Sequence, residues 1–206
     1  MAAPGRPQIG DHYLDSGPLF CLGGSKLLAD LFDAHFLPRS RVVGAVVGEV
    51  NYNANLLLPA VGYHPKRRVK QAARNARGRY KVLLSHAKAA PSPEPPALST
   101  IKAELRTRSL AMLKPGQSPQ PLKNAGEAEC LYWAGVESAE IISNDSDAHV
   151  LAATRTIISS SFVEVTRHLV TAQKLVKPRA IFNELAMLAS RDIFPGEHIT
   201  SELDLI

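Results

Sequence analysis

The sequence predicts an α/β fold with a parallel sheet, on three observations. Short apolar runs that suit strands alternate with longer runs of helical period. Two of the short runs lie far apart yet both end in acids: His12-Tyr13-Leu14-Asp15-Ser16 and Ile141-Ile142-Ser143-Asn144-Asp145-Ser146-Asp147. The chain of 206 residues is 45% hydrophobic, enough for one core, so residues 1–206 are expected to form a single domain with a basic helical insertion at about 64–96.

Residues 11–15 are the first expected strand, and Gly17-Pro18 then begins a turn or helix. Ser25 suits the N-cap of a helix whose Leu27, Leu28, Leu31, Phe32 and Phe36 share one face. Residues 41–45 fit a short buried strand, followed by a helix carrying Val46, Val47, Val50 and Leu56 to Leu58. That helix should stop before Pro59 or Gly62.

Residues 64–88 hold nine Lys and Arg and no acid. Arg67, Lys70, Arg74, Arg77 and Lys81 recur at three or four residues, so a helix lines them up in a basic stripe. Val69, Ala73, Ala76, Tyr80 and Leu83 form an apolar one, on a helix that starts near Pro65 and is weakened by Gly78. Four prolines make 89–96 a linker. Helix is expected at 100–113, a Pro/Gly turn at 114–121 and helix at 126–136. Residues 140–143 are a strand, Asp145 opens a helix to Arg155, and 156–159 suit another strand. Helices at 162–174 and 178–191 precede an acidic tail.

The net charge of +5 and isoelectric point near 9.3 are compatible with a polyanionic partner. Cys21 and Cys130 have no metal-binding spacing and are expected to be reduced core residues. No apolar run approaches the roughly 20 residues needed to span a bilayer. The N-terminal MAAPGRPQIG lacks a signal-peptide core, so a cytoplasmic protein with a frayed start is expected.

In a parallel sheet, Asp15, Asp145 and Asp147 would gather at the carboxyl edge, where open α/β sheets place their sites. Each acid also has a purely structural reading. Asp15 suits an N-cap, although Ser16 can cap in its place; Asp145 suits an N-cap and Asp147 the positive end of a helix. Glu49, beside Val46, Val47 and Val50, is expected to begin the helix after the second strand. Glu129 adjoins the apolar Cys130, Leu131, Trp133 and Ala134 and so is expected to face the sheet edge, with Glu127 nearer solvent. Gathered carboxylates repel one another and call for a cation; hard oxygen donors suit Mg²⁺ or Mn²⁺. Gly23-Gly24-Ser25-Lys26 does not complete a phosphate-binding loop, and the seven histidines lack zinc spacing.

Together these residues resemble the PIN-domain nucleases, especially the ribonuclease toxins of bacterial type II toxin–antitoxin pairs. The likeness rests on YLDSGPL at 13–19, VVGEV at 46–50, GEAECLYWA at 126–134 and ISNDSDA at 142–148, and covers roughly 11–62 and 98–160. It implies a three-layer α/β/α sandwich with a central parallel sheet, here with extra helices, and Mg²⁺- or Mn²⁺-dependent cleavage of RNA. It implies Asp15, Glu129, Asp145 and Asp147 as catalytic metal ligands. Glu49, also catalytic, would hold metal-bound water or stand behind the direct ligands, Glu127 would compete with Glu129 for its role, and Ser16 and Asn144 would orient carboxylates. The family usually has Asp where this chain has Glu129, and compact toxins lack a counterpart to 64–96.

The basic stripe of Arg67, Lys70, Arg74, Arg77 and Lys81 would attract an RNA backbone without reading its sequence. A cognate antitoxin is an expected partner, and the apolar stretch 46–62 suits a homodimer as well as a core face. The competing readings are a non-catalytic PIN-like module that binds RNA or protein, and a nuclease acting on DNA.

Overall fold

The computed structural model describes residues 10–59, 64, 66–112, 124–171, 174, 176–191, 193 and 199–206. The turn expected at 114–121 and the N-terminal residues 1–9 lie outside the described residues, as do Pro65 and parts of the acidic tail. The fold is α/β. Strands β1 (His12–Leu14), β2 (Ser40–Arg41), β3 (Glu140–Ile142) and β4 (Ser159–Ser160) form one sheet in the order β2-β1-β3-β4. All of its pairings are parallel; Tyr13 lies opposite Arg41 on one side and Ile141 on the other. Every residue of β1 and β3 is buried. Both faces of these central strands are therefore shielded from solvent, as is usual in parallel sheets.

The chain runs from β1 outward to β2, then returns to β3 on the opposite side of β1. The switch in direction lies between β1 and β3, the position at which open α/β sheets place their crevices. Asp15 follows β1 directly, and Ser143 to Asp145 follow β3.

Helix α1 (Ser16–Gly24) begins right after Asp15, where sequence suggested only a turn or the start of a helix. It buries Ser16, Pro18, Leu19, Cys21, Leu22 and Gly23 around much of its girth, so no amphipathic period marks it. Helix α2 (Lys26–His35) has Ser25 as its N-cap, as expected, with the hydroxyl accepting from Leu28 N at 3.2 Å.

Backbone stays extended to Val43, but ladder pairing in β2 covers only Ser40 and Arg41, and helix α3 (Gly44–Ala54) takes over at Gly44. This corrects the strand expected at 41–45. A second correction concerns the end of α3, which stops at Ala54 and leaves Leu57 98% exposed. Here Arg74 Nε donates to Ala54 O at 3.0 Å and Arg77 donates to Asn55 Oδ1 at 3.1 Å. The side chains of the next helix thus occupy the acceptors at the end of α3.

The basic segment forms α4 (Lys66–Arg79) and α5 (Lys81–Ser85), with the break at buried Tyr80. Its apolar stripe faces inward as expected: Ala73, Ala76 and Tyr80 are buried. Helix α4 packs on α1 and α3. The approach to α1 is so close that a Cβ on Gly23 would stand 2.0 Å from Ala72 O. Only glycine permits that crossing.

Helix α6 (Pro96–Ala111) starts earlier than expected, because Pro96 occupies a first-turn position that needs no N–H donor. Then come α7 (Ala125–Glu137), α8 (Ser146–Thr154), α9 (Phe162–Thr171) and α10 (Pro178–Ser190). Cys21 and Cys130 are free and buried. Among the described residues, no helix is long and apolar enough to cross a membrane.

Candidate functional site

Helices α1, α7 and α8 all begin near the carboxyl ends of β1 and β3, and α3 runs beside them. Asp15 is 4% exposed and is the N-cap of α1, its Oδ1 accepting from Ser16 N at 2.6 Å. Ser16 therefore does not replace it as the cap. The other oxygen of Asp15 accepts from Ser143 Oγ at 2.9 Å, and Ser143 Oγ accepts from Asp145 N at 3.1 Å. Ser143 thus ties the acid after β1 to the acid after β3. Sequence reasoning missed it; its place at the end of a buried strand, directly before the acidic cluster, was the available signal.

Glu49 lies in the second turn of α3 rather than at its start. Its Oε1 accepts from Gly126 N at 3.2 Å, and the Ser16 hydroxyl donates to its carboxylate. A Cβ on Gly126 would lie 3.0 Å from Glu49 Oε1 and 3.3 Å from Asp15 Oδ1. The two carboxylates therefore flank the first turn of α7.

That turn carries Glu127, whose Oε2 is buried without a hydrogen-bond partner. Burial pushes the Glu127 carboxyl far above the usual carboxylate range, and the charges of Asp15, Glu49 and Asp145 push it further. Asp15 is raised by burial first and then by Glu49, with Asp145 adding to it, against the hydrogen bonds from Ser16 and Ser143. Glu49 is raised mainly by burial, against its bonds from Ser16 and Gly126. Asp15, Glu49 and Glu127 are thus one electrostatic unit, with the charge of Asp145 felt within it.

Glu129 is buried, as its apolar neighbours suggested, and its charge adds to the upward push on Glu49. Its Oε2 accepts from Ala45 N at 3.1 Å in the first turn of α3. It caps a helix whose first turn has no other acid. Two residues along a helix are about 200° apart, so Glu127 and Glu129 cannot share a face. Asp145 is the N-cap of α8, accepting from Asp147 N at 2.7 Å and from Ala148 N at 3.4 Å. Asp147 stands 3.6 Å from the Arg108 guanidinium on α6. Asn144 does not orient a carboxylate: its Oδ1 accepts from Phe162 N at 3.0 Å and its amide points to Cys21 Sγ. It joins β3 to the start of α9.

Three members of the basic stripe are engaged within the protein. Arg67 donates to Pro59 O at 2.8 Å, beside the Arg74 and Arg77 bonds to the end of α3. Lys70 is half-buried and Lys81 exposed.

The acids are hard oxygen donors of the type a divalent cation takes, and Glu127 Oε2 is buried without a hydrogen-bond partner. Among the described residues, no group of three or more His, Cys, Asp or Glu side chains is already arranged to hold an ion. No protein-family model, no curated protein and no solved structure matches the chain.

Proposed function

We propose that the chain is a Mg²⁺- or Mn²⁺-dependent nuclease that hydrolyses RNA phosphodiesters, on a PIN-like α/β/α sandwich. The observation that carries this reading is the set of Asp15, Glu49 and Glu127 at the β1/β3 crevice, with Asp145 beside them and Glu127 Oε2 buried and unpartnered. Such a set is costly without a cation and is stabilised by one.

Asp15, Glu127 and Asp145 would hold the ion, and binding has to reorient side chains that now serve as helix caps. The ion supplies Lewis-acid polarisation of a phosphoryl oxygen and lowers the pKa of water from about 15.7 towards about 7. Glu49, desolvated and raised in pKa, is suited to accept the proton of the attacking water. Ser16 and Gly126 fix its carboxylate; Ser143 fixes that of Asp15. Glu129 supports the site by capping α3, and Asp147 meets Arg108 at its rim. A toxin role with a cognate antitoxin, and a homodimer, rest on the resemblance and on the apolar stretch at 46–62.

The reading of a non-catalytic binding module is favoured by one observation: Asp15 and Asp145 are both already used as N-caps. Thermal melting during Mn²⁺ titration separates the two. A nuclease site gains stability with ion concentration, because a ligand of the native state alone must stabilise it. An unchanged melting temperature through millimolar Mn²⁺ favours the binding module.

A further inference from the structure

We propose that Arg108 is a phosphate-binding residue of the carboxylate site, gripping non-bridging oxygens of a nucleic-acid backbone; this rests on the nuclease reading above. A pocket of acids repels the polyanion it must admit, so a cation has to stand at its rim. Arg108 stands there, and three observations make it more than a structural ion pair.

The first is its distance. Helices α6 and α8 are cross-linked at two levels. Arg155 bonds Glu104 at 2.6 Å, while Arg108 approaches Asp147 only to 3.6 Å, beyond hydrogen-bonding reach. Pairing at these levels sets the two helices antiparallel, so the last turn of α6 lies at the N-terminal end of α8, beside the crevice.

The second is anchoring. Asn124, with φ of 71°, is the N-cap of α7 and sends its amide to Leu105 O at 3.2 Å and Ser109 Oγ at 2.5 Å. The turn of α6 that carries Arg108 is thereby fixed to the turn of α7 that carries Glu127. Third, the Arg108 side chain is 39% exposed, against 19% for Asp147, so its donors remain open to solvent. A guanidinium is a planar fork that binds phosphate through two parallel bonds, and a loose partner is easily exchanged for one. By contrast, Arg67, Arg74 and Arg77 on α4 are spent on oxygens around the end of α3.

The test compares the full chain with Arg108→Ala and Arg108→Lys, using a fluorescent single-stranded RNA oligonucleotide. Binding is read by anisotropy with Ca²⁺ over a salt series, and cleavage with Mn²⁺. Arg108→Ala is expected to weaken binding and raise KM by roughly tenfold, with kcat nearly kept. The slope of log affinity against log salt should shrink by about 0.7. Arg108→Lys should restore the slope but only part of the affinity. Equal affinity and slope in Arg108→Ala and the parent overturn the proposal, even if both cleave RNA. If the parent cleaves nothing, the nuclease reading fails, and the binding comparison still decides the role of Arg108.

Discussion

Glu49 Oε1 accepts the backbone N–H of Gly126 at 3.2 Å, so one acid of the crevice is held by the helix turn that carries the next. The helix start supplies a partial positive charge to the half-buried carboxylate of Glu49. A Cβ at Gly126 would meet Glu49 Oε1 at 3.0 Å, Val46 Cγ2 at 3.1 Å and Asp15 Oδ1 at 3.3 Å. Gly126→Ala should therefore spread the acids and cost about 1–3 kcal/mol, read by urea denaturation. Its metal-induced rise in melting temperature should shrink as well. Parental values for both would mean that the turn is not fitted to these carboxylates.

Glu127 and Glu129 should part company on substitution. Glu127→Gln replaces a carboxyl whose ionisation burial and its neighbours oppose with a neutral group of the same shape, so the variant should be at least as stable as the parent but lose Mn²⁺ stabilisation and RNA cleavage. Glu129→Ala removes the acceptor of Ala45 N and should cost about 0.5–2 kcal/mol, as loss of a helix cap does. Cleavage by the folded fraction should survive. The opposite pattern would return the metal-binding role to Glu129.

The raised carboxyls fix the sign of a pH effect in the metal-free protein. Asp15, Glu49 and Glu127 all bind protons more tightly when folded than when unfolded. Between the ordinary carboxylate range and their raised values, the folded state holds more protons, so stability falls as pH rises. The slope is about 1.4 kcal/mol per pH unit for each extra proton held. From pH 5 upward, urea melts in EDTA should show the parent losing stability relative to Glu127→Gln, a comparison in which buried His12, whose lowered pKa works in the opposite direction, cancels. Parent and variant changing in parallel over this window would contradict the cluster.

Helix α4 should prove inseparable from the core. Gly23→Ala would drive a methyl into Ala72 O, 2.0 Å away, and is expected to destabilise by about 3 kcal/mol or more. Chemical denaturation checks this; a change under 1 kcal/mol would mean that α1 and α4 separate easily.

Much of this was legible in the sequence because the strands end in acids. Asp15, Asp145 and Asp147 were placed by a simple rule about carboxyl edges, and the parallel order followed from alternation. Helix α1 was obscured by burial on most sides, which erases helical period. Sequence could not separate the surroundings of Glu127 and Glu129: the apolar neighbours of Glu129 do mark its burial, but only the tertiary contact shows its carboxylate accepting from the N–H of Ala45. The basic stripe had the right period, yet sequence could not reveal that Arg67, Arg74 and Arg77 would find acceptors around the end of α3.

Under the nuclease proposal, the carboxylates at the carboxyl ends of β1 and β3 perform metal-dependent cleavage. Asparagine caps helices about as well as aspartate, so an Asp15→Asn, Asp145→Asn double variant should keep α1 and α8 intact. The decisive measurement is cleavage of mixed RNA in Mn²⁺, with and without EDTA, by the parent and this variant at equal folded concentration. Cleavage by the parent that EDTA abolishes, and none by the variant, is the expected result. Equal cleavage by parent and variant, or cleavage indifferent to EDTA, would contradict it.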